Sequence, residues 1–134
     1  MAKPWLAGNL SGMARHFLAL AHEMVAARRL PPSEAQDALA RAGMALEGAR
    51  ERMYALLEQA WAQVAAQAGA GVDSGLDARL REASMALVTA ARRAVGGIYP
   101  YCGLRAAQED SDINRAWRDF HTASQHALFG VCAI

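Results

Sequence analysis

The sequence has almost no charge imbalance. Lys and Arg number 14 and Asp and Glu 13 in 134 residues, a formal net charge of +1. That balance excludes a nucleic-acid surface built on bulk positive charge. Proline is scarce, with four residues, and aromatics make up only 7%. The two cysteines, Cys102 and Cys132, have neither CxxC spacing nor a His pair at zinc spacing, which excludes a disulfide framework or a zinc module. No run reaches the ~18 uninterrupted apolar residues of a membrane span. No strand alternation or internal repeat shows. The opening MAKPWLAGNL carries one lysine and no sustained apolar run, so it is not expected to act as a signal peptide. The expectation is a soluble cytoplasmic protein that binds neither membrane nor nucleic acid. Its thiols are expected reduced, with a single Cys102–Cys132 bridge as the alternative.

What the sequence does have is apolar content. Hydrophobic residues are 54% and charged residues 20%, which excludes the disordered class. Much of the apolar content is alanine, the strongest helix former. The length fits one domain, able to bury roughly two thirds of its unfolded surface.

Periodicity predicts four helices, at about 5–29, 34–68, 75–96 and 112–129. In the first, Leu6, Leu10, Met13, Phe17, Leu20 and Met24 recur at steps of three and four. Ala14, Leu18, Ala21 and Val25 widen that face. Pro31 and Pro32 stop it. The second opens with Ser33 and Gln36 at capping-box spacing. Its stripe runs through Leu39, Ala42, Leu46, Ala49, Met53, Leu56, Leu57, Ala60 and Val64, and Glu47, Glu51 and Glu58 fall on the solvent side. Ser74 with Asp77 reads as the cap of the third helix, which Gly96-Gly97 is expected to close as a C-cap. Arg92-Arg93 there suit the macrodipole. Residues 98–112 read as a long structured loop. Asp112 or Ser111 caps the fourth helix. The architecture predicted is all-α, an antiparallel four-helix bundle forming a single domain over 1–134.

Metal chemistry finds little support. No Glu-x-x-His occurs, and His16 and His22 lie about 120° off a shared ridge. No metal site is expected. Nucleophilic catalysis is equally thin, since no G-x-S-x-G occurs and neither cysteine has a sequence-local base. The last helix is the exception. Ile113, Ala116, Trp117, Phe120, Ala123, Ser124, Ala127 and Val131 form its apolar side. Arg115, Asp119, Thr122 and His126 form one narrow polar stripe. An ordinary account makes Arg115 and Asp119 a surface pair of a few tenths of a kcal/mol. A functional account starts from His126, which can exchange a proton near neutral pH.

The segment from Ile113 to Ala127 reads INRAWRDFHTASQHA and follows Gly96-Gly97-Ile98. It resembles the end of the acyl-CoA dehydrogenase superfamily, most closely the branch of flavin-dependent monooxygenases with that fold. In that branch a Gly-Gly pair precedes a final helix reading roughly R-x-W/F-R-D-x-H-x-x-x-x-H. Arg118-Asp119 and the spacing to His126 are the specific part. The resemblance spans the chain, loosely before Gly96 and sharply after it. It implies a C-terminal helical domain.

The same resemblance assigns roles. In the dehydrogenases a glutamate after Arg-Asp commonly removes the substrate α-proton, and Gln125-His126-Ala127 offers no carboxylate there. In the monooxygenases a histidine at the position of His126 lies beside the flavin. It is implied to assist oxygen chemistry or to deprotonate a phenolic substrate. His126 is thus the catalytic candidate. Gly96, Gly97, Arg118 and Asp119 are the cofactor-side candidates, the last two as braces of the helix and domain interface. His121, Trp117 and Thr122 stand behind them.

Family members are longer, with an N-terminal helical domain and a β-barrel before the bundle, and the flavin and substrate sit between domains. The expectation is therefore a stand-alone or excised C-terminal-type bundle. It would contribute one wall of a flavin and substrate site when assembled with partner domains. If the chain is part of an enzyme, that enzyme is a flavin-dependent oxidoreductase, monooxygenase-like rather than dehydrogenase-like. FAD or FMN is expected in the assembled complex and none held tightly by the chain alone. The partner is a longer flavoprotein chain or further copies in a dimer or tetramer. Two alternatives stand beside this. One is a non-catalytic helical oligomerisation module. The other is a small flavin-independent enzyme using a bundle cavity lined by Trp61, Tyr99, Tyr101, Trp117 and His126.

Overall fold

The computed structural model describes residues 3–29, 31–67, 69 and 71–125. Four helices run Pro4–Ala26 (α1), Ser33–Ala66 (α2), Ser74–Ile98 (α3) and Asp112–Ser124 (α4). Two 3-10 turns, Tyr99–Cys102 (η1) and Leu104–Ala107 (η2), link α3 to α4. Helices consecutive in the chain run antiparallel, α1 and α3 form the centre, α2 packs on both, and α4 lies chiefly on α1. This is the all-α bundle read from the sequence. Among the described residues no helix is long and apolar enough to cross a membrane.

The inward face of α1 is rotated from the expected stripe. Ala7, Leu10, Ala14, Phe17, Leu18, Ala21 and Val25 are buried, while Leu6, Met13, Leu20 and Met24 are only partly covered. Small residues sit on the centre line of α1, and α3 likewise buries Ala83, Ala91 and Ala94, which suits close approach of packed helices. The larger apolar side chains seal the margins. On α2 the fully buried line is Leu39, Leu46, Met53 and Ala60, a seven-residue repeat. Such a repeat keeps one narrow seam against its neighbours over a long helix. Val64, expected in the stripe, is 41% exposed.

Helix ends differ from the sequence reading for identifiable reasons. α1 stops at Ala26, short of Arg29, and the Arg28 guanidinium donates to the Tyr101 carbonyl of η1 instead of continuing the helix. Ser33 is not a cap: Pro32 takes the N-cap position in extended backbone, and no side chain bonds the helix start. Ser74 is not a cap either. Asp73 is, its carboxylate accepting from the Leu76 N–H at 2.8 Å and from Gln63 Nε2 at 2.6 Å. Asp77 pairs with Arg81 at 2.9 Å. Ser111 rather than Asp112 caps α4, accepting from the Asn114 N–H at 3.2 Å.

Glu47 keeps its expected solvent side, its side chain 46% exposed, but is also engaged there. It bridges to Arg15 at 2.7 Å and to Arg50 at 4.0 Å, clasping α1 to α2. Arg50 in turn donates to the buried Ser11 hydroxyl and lies over the Tyr54 ring at 5.3 Å.

Candidate functional site

The site is built where the end of α3 meets α4. Gly96-Gly97 does not end α3. The helix runs through both glycines to Ile98, and the Tyr99 N–H still bonds the Val95 carbonyl. Burial of Val95 and Ile98 against the core outweighs the poor helix propensity of two glycines. Both glycines are exposed, and a Cβ on either would meet no atom within 4 Å.

The residues expected as a loop are instead the folded pair η1 and η2. Gly103 joins them at φ +75°, and Ala106 is fully buried. The Ala106 carbonyl accepts from Asn114 Nδ2 at 2.7 Å and from the Tyr99 hydroxyl at 3.3 Å. The turns are thereby latched to α4. Asn114 Oδ1 is buried without a hydrogen-bond partner among the described residues.

On α4 the aromatic residues assemble in order. The Tyr99 and Trp117 ring centroids are 4.6 Å apart, and those of Trp117 and His121 are 4.4 Å apart. Phe120 meets His121 edge-on at 6.0 Å. His121 is half-buried, and its Nε2 is buried with no hydrogen-bond partner among the described residues. The last turn of α4 is held from α3: Arg92 donates to the Ser124 carbonyl, while the Ser124 hydroxyl donates to the His121 carbonyl at 3.0 Å. His126 follows this held turn by two positions and lies outside the described residues. So do Ala127, Val131 and Cys132.

The remaining candidates separate. Arg118 is exposed and donates to the Glu109 carbonyl at 3.3 Å, bracing the turn before α4. Asp119 faces the other way, into a groove of about 330 Å³ between α1 and α4 that it shares with Asn9, Gly12, Met13, His16 and Ala116. The expected Arg115–Asp119 ion pair is not formed. Thr122 is exposed. The structure thus brings Trp117 and His121 together, and sends Arg118 and Asp119 to opposite flanks.

Two further expectations are settled by position. Among the described residues, Trp61, Tyr99, Tyr101 and Trp117 do not line one cavity; His126, the fifth expected member, lies outside them. Trp61 is 75% exposed on the last part of α2, and the Tyr101 hydroxyl donates to Glu34 at 3.3 Å, away from the Tyr99–Trp117 stack. Cys102 carries a free, buried thiol whose pKa burial pushes up to about 11, so it is held protonated. Among the described residues no three His, Cys, Asp or Glu side chains gather as a metal set. Sequence reasoning paired Tyr99 with Trp117 correctly, but missed the roles of Arg92 and Asn114. The available signal for Asn114 was its place beside a helix start, where short amides fold back onto nearby backbone.

A domain of four antiparallel helices with an aromatic, histidine-bearing last helix defines the class. Residues 5–130 match the family described as acyl-CoA dehydrogenase, C-terminal domain, and the chain belongs to that family. It is 30% identical over 91 residues to a pigment production hydroxylase of Rhodococcus erythropolis. That match covers 68% of this chain and 23% of the hydroxylase, so the chain spans well under two thirds of its relative. No solved structure matches.

Proposed function

We propose that the chain supplies one wall of a flavin and substrate site in an assembled, monooxygenase-like flavoprotein of the cytoplasm. The observation that carries this is the tandem Gly96-Gly97. Each glycine in a helix costs about 1 kcal/mol relative to alanine. Nothing inside the molecule requires either one, since both face open space. α2 also carries glycines in open space, Gly43 and Gly48, but singly. The pair at 96–97 exposes a continuous stretch of backbone beside Tyr99. Such a surface fits close approach by a planar cofactor or by a neighbouring domain.

The residues present fit one side of a flavin site. Gly96 and Gly97 would offer backbone contact. Trp117 and His121 form a rigid aromatic support, and Arg92 fixes the turn that leads to His126. Arg118 braces the turn before α4, and Asp119 faces the α1–α4 groove on the other flank. The bound flavin would supply the oxidation–reduction chemistry. His126 would hold or accept a proton at the substrate, as a histidine can near neutral pH. Gln125-His126-Ala127 provides no carboxylate, which favours the hydroxylase-like reading, as does the relative's name. The partner is a longer flavoprotein chain, with self-association as a second mode.

The test is co-expression with a flavoprotein of this family lacking its own C-terminal bundle. Co-purification, flavin absorbance in the complex, and loss of turnover in His126→Ala with flavin retained would support the reading. Absence of complex and of flavin affinity for FAD and FMN would overturn it.

A further inference from the structure

The groove between α1 and α4 is lined by polar side chains that the fold does not use. Leu20, Glu23 and Met24 of α1 meet Ser111, Asp112 and Ile113 at the start of α4. α4 then runs back along α1, and its middle lies beside Asn9, Gly12, Met13 and His16. Those four recur at steps of three and four, so they share one stripe of α1. Ala116 and Asp119 face them from α4 across a space of about 330 Å³. One glycine helps to keep that space open. Gly8, a turn earlier, answers a need inside the molecule, since a Cβ there would lie 2.8 Å from the Tyr54 hydroxyl. A Cβ on Gly12 would meet no atom within 4 Å. Inside a helix Gly12 costs about 1 kcal/mol relative to alanine, and what its missing side chain leaves is room in the groove wall.

The donor and acceptor inventory of the groove selects its ligand. Asn9, His16 and Asp119 take part in no hydrogen bond or ion pair among the described residues. His16 and Asp119 line one groove without pairing, so the space between them admits another group. Each of the three carries an acceptor: a carboxylate oxygen, an amide carbonyl oxygen and an unprotonated imidazole nitrogen. No Lys or Arg lines the groove, so the carboxylate of Asp119 is unopposed there. Three acceptors around one negative charge match an ammonium group, which brings one positive charge and three N–H donors. A carboxylate or phosphate ligand would be repelled by Asp119.

The rest of the lining suits the body of such a ligand. Met13 and Ala116 form an apolar wall, and the Met13 side chain adapts to the shape it meets. The volume is at the lower end of the roughly 300–1,000 Å³ of ligand pockets, which limits the guest to one ring or a short chain. We propose that this groove binds a small primary amine, its ammonium held by Asp119, His16 and Asn9 and its apolar part laid on Met13 and Ala116. The site lies within the bundle and needs neither a flavin nor a partner chain, so it stands independently of the flavin reading.

Calorimetric titration of the chain with phenethylamine at pH 8 tests it, with no flavin present. Saturable binding is expected. The uncharged phenethyl alcohol binds at least about tenfold more weakly, because the charge-assisted bonds are lost. Asp119→Asn weakens the amine by a similar factor and His16→Ala by a smaller one. Gly12→Leu abolishes binding by filling the groove. Glu51→Gln, on α2 and outside the groove, leaves the affinity unchanged. All four replaced residues are exposed, and circular dichroism checks that each variant folds. Absence of saturable binding overturns the inference. So does an alcohol that binds as tightly as the amine, an affinity that survives both Asp119→Asn and Gly12→Leu, or uptake of zinc ion without uptake of the amine.

Discussion

The Trp117 indole and the His121 imidazole sit one turn apart on α4, ring centroids 4.4 Å apart and planes inclined at 60°. Tyr99 closes the stack from the other side at 4.6 Å. Trp117 is thus the middle member of a three-ring unit that joins η1 to α4, and the position of His121 depends on it. Replacing Trp117 with Ala should cost about 2–3 kcal/mol, below the range for fully buried tryptophans because Trp117 is half-buried. Trp117→Phe should retain most of that stability. Urea unfolding of the two variants checks this, and an alanine variant as stable as wild type would show that the stack contributes nothing.

Acid should act on the start of α3. The Leu76 N–H and the Gln63 side chain bond the Asp73 carboxylate and hold its pKa below the ordinary 3.8. A carboxylate with a lowered folded pKa contributes stability that is present above the unfolded value. That contribution fades as pH falls from about 3.8 through the lower folded value. Asp73→Asn should therefore flatten the acid limb of stability in that window while leaving the slope near neutrality alone. Urea midpoints measured between about pH 5 and pH 2 distinguish the two proteins.

Cys102 should be chemically silent in the folded chain. Its pKa of about 11 against an ordinary 9.0 leaves about a hundredfold less thiolate at a given pH, before burial limits access. In a Cys132→Ser background a thiol reagent at pH 8 should label Cys102 only as fast as the domain opens, and rapidly in urea. Fast labelling of the native protein would contradict the buried position. The raised pKa also predicts that stability falls with rising pH between about 9 and 11, since the unfolded chain loses the thiol proton first.

The helices and their order were legible because amphipathic periodicity is strong over long segments. The seven-residue spacing of Leu39, Leu46, Met53 and Ala60 is written directly in the sequence. The rotation of α1 was not, because alanine and leucine carry the same apolar sign, and only the approach of α3 decides that Ala14 is central and Met13 marginal. Caps were ambiguous where two eligible residues adjoin: Ser74 was taken for Asp73, and Ser111 could not be separated from Asp112. At the site, Trp117 and His121 were legible from their placement on α4. Arg92 and Asn114 were not, because their partners are the carbonyls of Ser124 and Ala106, and backbone acceptors leave no mark in composition.

Gly103 should not tolerate a side chain. Its φ of +75° disfavours L residues, and a Cβ would lie 3.2 Å from Arg28 Nη2, the guanidinium that donates to the Tyr101 carbonyl. Strain and displacement of that guanidinium act together in Gly103→Ala, with an expected cost of about 1–3 kcal/mol. Hydrogen exchange should also show faster loss at η1 than at the middle of α3. An unchanged unfolding midpoint would mean that the turn re-forms without cost.

Gly96 and Gly97 make the opposite prediction, and a diagnostic one. Both lie inside α3 with negative φ and open space where a Cβ would go. Alanine has the higher helix propensity by about 1 kcal/mol, so Gly96→Ala and Gly97→Ala should each stabilise the isolated bundle by up to that amount. If the exposed backbone exists to receive a cofactor or a neighbouring domain, the same changes should weaken the assembled flavoprotein, because each methyl occupies the approach surface. Stability of the isolated chain and flavin retention in the complex should therefore move in opposite directions. Urea unfolding reads the first and flavin release on dilution reads the second. A variant that gains stability and keeps its flavin as tightly as wild type would remove the glycine pair from the site and leave α4 alone as the functional wall.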